Sequence, residues 1–112
     1  MLRDIHIFVK MVIYYLTCAD DWQADRIAKA LLNKKLIVCA KQIPVFSSSL
    51  WAGKITENEE ILLVMESVAE NFAKIEKEVK KLHSYKTFVL YSTPVKTTKR
   101  VKEWIKREIG FT

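Results

Sequence analysis

A chain of 112 residues is the length of one domain, and half of its residues are hydrophobic, with two glycines and two prolines. That composition excludes a disordered tail, a collagen-like chain and a loop-rich disulfide scaffold. We read residues 1–112 as a single domain, with Cys18 and Cys39 as thiols of a reducing cytoplasm. The longest apolar stretch, Ile5 to Leu16, is interrupted by His6 and Lys10 and is too short to span a bilayer. It lacks a small-residue cleavage site, so the expectation is a cytoplasmic protein without a membrane span.

The formal net charge is +6, and six basic but only two acidic residues fall between Lys96 and Glu108. Such a segment attracts nucleic acid, acidic lipid or an acidic partner, or is the solvated face of a helix.

In chain order, Ile5 to Thr17 has apolar residues on both sides of a period-two pattern, as in a strand covered on both faces. Asp20 and Gln23 form a capping-box variant. It opens a helix whose stripe is Ala24, Ile27, Ala28 and Leu31, with Asn33 as its stop. Leu36 to Ile43 reads as a second strand and Ser47 to Ile55 as a third, with Gly53 marking a bend in it. Thr56 to Glu59 reads as a turn and Ile61 to Met65 as a fourth strand. Ser67 and Glu70 have the spacing of a full capping box, ahead of a helix with Val68, Phe72, Ile75, Val79 and Leu82 inward. Thr87 to Thr93 is a fifth strand closed by Pro94. Thr97 or Thr98 caps a last helix with Val101, Trp104, Ile105 and Ile109 inward, ended by Gly110.

The order β-α-β-β-β-α-β-α is that of an α+β, ferredoxin-like split βαβ sandwich. Its two main helices must share one face of the sheet. The first strand is too apolar for a sheet open to water on its second face, so the last helix or another subunit must cover that face.

Catalytic signatures are missing. Two glycines make no phosphate loop, and there is no CxxC or HExxH zinc motif. His6 and His83 stand far apart in sequence. Ser47, Ser48 and Ser49 read as a bend, and Asp20 and Asp21 suit a helix start. The expectation is a protein that is not an enzyme.

The residues between the elements carry a resemblance. Trp51-Ala52-Gly53-Lys54-Ile55, followed by Glu59-Glu60-Ile61-Leu62-Leu63, is similar to the W-E-G-K-I hairpin and following strand of the CutA family of divalent-cation tolerance proteins. Leu36-Ile37-Val38-Cys39-Ala40 with Pro44 resembles the family's L-A-A-C segment. Leu82-His83-Ser84-Tyr85 resembles its H-P-Y turn, Tyr91 to Val95 ends in its Pro-Val, and Ala19-Asp20-Asp21 is similar to its A-P-D-E. The resemblance covers roughly residues 11–109. Ser84 replaces the family's Pro, Phe88-Val89 its Pro-Glu, Lys41 its Asn and Asp20 its Pro.

The resemblance implies a PII-like homotrimer of ferredoxin-like protomers with a role in tolerance of copper or other divalent metals. It places His83 at the family's histidine. Metal binding, to copper or another divalent cation, would then use His83 first and Cys18 next, weakly. Each residue has a second reading: His83 as a helix cap, and Cys18 as a structural thiol in place of a ligand whose pKa the following helix could lower. Cys39 reads as a small core residue, and Trp51 as either a packed hairpin aromatic or the lining of an intersubunit pocket. The rival function is an RNA-binding ferredoxin-like module that uses the basic C-terminal helix, against which stands the absence of an RNP pattern on the strands.

Overall fold

The computed structural model describes residues 10–109. The elements are β1 (Met11–Cys18), α1 (Asp21–Asn33), β2 (Cys39–Trp51), β3 (Lys54–Val68), a 3-10 turn (Ala69–Asn71), α2 (Phe72–Leu82), β4 (Leu90–Pro94) and α3 (Lys99–Ile109). They form one antiparallel sheet in the order β2-β3-β1-β4 with the connectivity of a split βαβ unit.

One face of the sheet presents Val12, Tyr14, Leu16, Leu63 and Met65 to Ala24, Ile27, Ala28 and Leu31 of α1 and to Ile75 and Val79 of α2. Each helix has one apolar stripe, so both lie on this face. The Tyr14 hydroxyl, buried beneath them, donates to the Val68 carbonyl at 2.6 Å. Burial, with the Glu70 charge second, pushes its pKa up to about 12. Phe72 stands at the rim of the α2 stripe, partly exposed, with its ring 6.0 Å from that of Tyr14.

α3 lies elsewhere. Ile105 packs with Met11 and Val68, flanked by Val38, Val95, Val101, Trp104 and Ile109. This second cluster covers only one end of the sheet's other face. By register, Ile13, Tyr15, Leu62 and Val64 share that face, and all four are half-buried. Tyr91 opposite Tyr15 and Ile43 opposite Leu62 extend the strip and are exposed.

Several sequence expectations change. The second and third strands are one, because Pro44 and Ser47–Ser49 continue the ladder of β2; Ser47 pairs with Asn58 and Ser49 with Thr56. Pro44 sits on an edge strand, where its missing N–H is tolerated. Thr56 to Glu59 is therefore strand, and the sheet has four strands instead of five. The reversal lies at Ala52 and Gly53, both left-handed with φ of 52° and 77°, which is the two-residue hairpin geometry matching strand twist.

Ser67 does not cap α2. It ends β3, and its hydroxyl donates to the Leu36 carbonyl at 2.5 Å, beside Asn71 Nδ2 at 3.0 Å from the same oxygen. Asn71 precedes Phe72 with no side-chain cap bond. Asn33 ends α1, but the left-handed residue there is Lys35, at φ 57°. The Asp20 cap holds, with Oδ1 accepting from the Gln23 N–H at 2.8 Å, and Thr98 Oγ1 accepts from the Val101 N–H at 3.4 Å. Ile5 to Val9 and Gly110 lie outside the described residues.

Candidate functional site

The residues singled out from sequence meet at one end of the sheet, where β1 stops, α1 starts and the chain leaves α2. His83 follows the last turn of α2, its backbone N–H bonded to the Val79 carbonyl at 2.8 Å. Its ring reaches β1, with Nε2 2.8 Å from the Thr17 carbonyl, while Nδ1 accepts from the Tyr85 N–H at 3.0 Å. The Tyr85 N–H needs an unprotonated Nδ1, so the proton is on Nε2 and is donated to Thr17. The ring is also stacked on Phe88, 5.4 Å away, and tilted against Tyr85 at 4.9 Å. Both nitrogens are therefore engaged in holding the 83–88 turn against β1.

Two neighbours complete the latch. Gln23 Nε2 donates to Ser84 Oγ at 2.8 Å while its Oε1 accepts from the Ala19 N–H at 3.1 Å. The Tyr85 hydroxyl donates to Glu60 Oε2 at 2.7 Å. That bond, then burial, pushes the Tyr85 phenol up to about 12. The turn is thus tied to β1 by His83, to α1 by Ser84 and to β3 by Tyr85. Ser84, where the resemblance has proline, accepts the Gln23 bond through its hydroxyl, which a proline could not do.

Cys18 lies next to Thr17 and is fully buried. Burial, then the Asp20 and Glu60 charges, raises its thiol from the ordinary range to about 12. This reverses the expectation that α1 would lower it, because desolvation and nearby carboxylates both disfavour thiolate. Cys39 is half-buried on β2, with Sγ 3.6 Å from Lys41 Nζ, so it is no core residue. Lys41 also pairs with Glu66 at 2.6 Å, and that bond raises its pKa. Trp51 is exposed at the hairpin tip.

The structure brings His83 and Cys18 to the same end of the sheet. Among the described residues, however, no three of His, Cys, Asp or Glu converge as a metal would require. What lies beside them is an open cleft of about 580 Å³ between α1 and the hairpin. Asp20, Asp21, Glu59 and Glu60 line it on one side of its chemistry, and Pro44, Val45, Phe46 and Ile61 on the other. Glu60 was not singled out from sequence. The signal was there: it is the acidic residue immediately before the strand run that begins with Ile61, whose partner on β1 is Cys18.

The model of the CutA1 divalent ion tolerance proteins matches residues 12–108. The chain belongs to that family. The divalent-cation tolerance protein CutA of Archaeoglobus fulgidus is 37% identical over 92 residues, 81% of this chain and 90% of that protein. The Thermus thermophilus CutA is 29% identical over 97 residues, 85% of this chain and 94% of the relative. Among solved structures, the A. fulgidus protein, described as a periplasmic divalent cation tolerance protein, superimposes with a TM-score of 0.87 at 34% identity. That match covers 88% of this chain and 98% of the other. The Oryza sativa CutA1, at 24% identity, shares the fold with a TM-score of 0.85, over 89% and 94% of the two chains. The ferredoxin-like fold expected from the element order, PII-like by the resemblance, is the observed one. The RNA-binding reading gains nothing from these relatives. Five of the six basic residues of the 96–108 segment sit on α3, at the opposite end of β1 from the cleft, since Ile105 packs on Met11. No described helix is long and apolar enough to cross a membrane.

Proposed function

We propose that the chain is a non-enzymatic divalent-cation tolerance protein that works as a homotrimer in the cytoplasm. The tolerance role is supported by the family match and by the names its relatives carry. The trimer is supported by one observation above all. The strip Ile13, Tyr15, Leu62, Val64, Ile43 and Tyr91 is a sheet face that α3 leaves open. Apolar burial at about 25 cal/mol per Å² makes covering such a face the strongest force available for assembly. The resemblance supplies the number three. Cytoplasmic placement fits two free thiols, which a reducing compartment preserves.

The donor set does not fit a resident metal centre. His83 has both nitrogens engaged, and the Cys18 thiol is sealed and hard to deprotonate. Contact with copper or another divalent cation is therefore transient and centred on His83 Nδ1, at the cost of the Tyr85 N–H bond, with Cys18 secondary. Calorimetry with copper and with zinc on the wild type and on His83→Ala tests this. The expected result is weak, exchangeable binding that the variant loses. Undetectable binding, or binding unchanged by the variant, overturns the metal contact at His83.

A further inference from the structure

The basic segment 96–108 has no part in the site at the far end of β1. In α3, Val101, Ile105 and Ile109 fall four residues apart and turn inward, with Ile105 fully buried against Met11 and Val68. The outward side therefore carries Arg100 and Arg107, both exposed, with Glu103 between them. Lys99, Lys102 and Lys106, three and four residues apart, form a row along one flank. At 1.5 Å per residue this basic surface runs for about 12 Å. Among the described residues, the ion pair on α3 is Arg107 with Glu108, loose at 3.8 Å.

Two other segments add charge at the same end of the sheet. The Val95 N–H donates to the Met11 carbonyl at 3.2 Å, which sets the exposed Lys96 beside the start of β1. Lys35, also exposed, precedes Leu36, whose carbonyl accepts from Ser67, the partner of Val12 on β1. Asp20, Asp21, Glu59 and Glu60 stand at the opposite end. The domain is thus electrically polar along β1, basic where the strand starts and acidic where it stops.

An extended anionic plane attracts one end of such a molecule and repels the other, so it orients the domain as well as binding it. A single strand of nucleic acid is held differently, by bases stacked on aromatic side chains set among basic ones. The one aromatic of α3, Trp104, is half-buried against the Ile105 cluster. The apolar stripe of α3 is used up in the same cluster, so the helix meets a surface through charge and without insertion. Its outward side also points away from the open strip of the sheet, because α3 packs on that sheet face through its opposite side.

We propose that the α3 end of the domain binds the anionic surface of a lipid bilayer peripherally, with α3 along the headgroups and the acidic end pointing away. Each Lys or Arg near such a surface strengthens binding by about fivefold. The patch is complete in one chain and stands apart from metal contact at His83; a trimer multiplies it without creating it.

The test is co-sedimentation of the full chain with phosphatidylcholine vesicles, with and without about one-third phosphatidylserine, in about 0.1 M salt. Arg100→Gln combined with Lys106→Gln is compared with Lys77→Gln combined with Lys80→Gln, a pair of exposed positions on α2 that removes the same charge. Thermal unfolding of each variant verifies that the fold is retained. Three results together support the proposal: binding to the serine lipid alone, its loss in about 1 M salt, and at least about tenfold weakening by the α3 pair against less than about threefold by the α2 pair. Absence of binding to the anionic vesicles overturns it, as does equal binding to pure phosphatidylcholine or equal weakening by the two pairs. Tighter binding of a single-stranded oligouridylate than of the vesicles, lost in the α3 pair, would assign the patch to nucleic acid and overturn it as well.

Discussion

The two halves of the β2–β3 hairpin both carry large apolar side chains but are structurally opposite. In the inner half, residues 61–66 of β3 pair with β1 on one side and with β2 on the other, and Leu63 and Met65 are fully buried under α1 and α2. In the outer half, residues 54–60 of β3 pair with β2 alone, and the ladder runs out to the Ala52-Gly53 turn. Phe46, Leu50, Trp51 and Ile55 stand there 66, 74, 64 and 78% exposed. A two-stranded ribbon is marginal by itself in water. Its apolar side chains are those of a surface that awaits cover. The lesson is that one strand pair can be half core and half surface, and the proposed trimer would complete the outer half with other copies.

Truncation separates the two halves most sharply. Leu63→Ala opens a cavity in the inner core and costs about 2–5 kcal/mol, read as a lowered urea midpoint. Leu50→Ala, tested on the dissociated chain at high dilution, changes that midpoint by less than about 0.5 kcal/mol. It weakens association of the subunits instead. Equal destabilisation by the two variants under those conditions would erase the distinction.

Alkaline pH gives a smaller effect, confined to the inner half and its latch. Folding raises Cys18 from 9.0, and Tyr14 and Tyr85 from 10.0, each to about 12. The fold thus favours their protonated forms. The stability they lend is complete below pH 9 for the thiol and below pH 10 for the phenols, and is lost as pH climbs toward 12. Urea midpoints should fall progressively above pH 9, with a shallower fall for Tyr14→Phe than for the wild type. Identical slopes would contradict the assignment.

Where the sequence was read correctly, a local pattern and the tertiary structure agreed. The stripe Ala24, Ile27, Ala28, Leu31, the Asp20–Gln23 cap and the two-faced apolarity of β1 each carry their own signal. Where the reading went astray, the deciding contact lay far away in the chain. Ser67 and Glu70 have capping-box spacing, but the Leu36 carbonyl, 31 residues earlier, takes the Ser67 hydroxyl. Pro44 and Ser47–Ser49 look like a break in the chain, yet residues 56–61 of the partner strand hold them in the ladder. At the site, His83 and Cys18 were legible as chemistry-bearing residues near one another. That both His83 nitrogens are engaged depends on Thr17 and Tyr85. That the Cys18 thiol is pushed up depends on burial and on Asp20 and Glu60. No spacing rule reports those.

The central claim is that the open sheet face and the outer hairpin are completed by two further copies of the chain. Light scattering on size-fractionated protein at micromolar concentration tests it most directly. The account predicts a particle of three times the chain's 13.1 kDa, and a smaller one for Ile55→Asp with the far-ultraviolet spectrum retained. A wild-type particle of one chain mass at that concentration would contradict it.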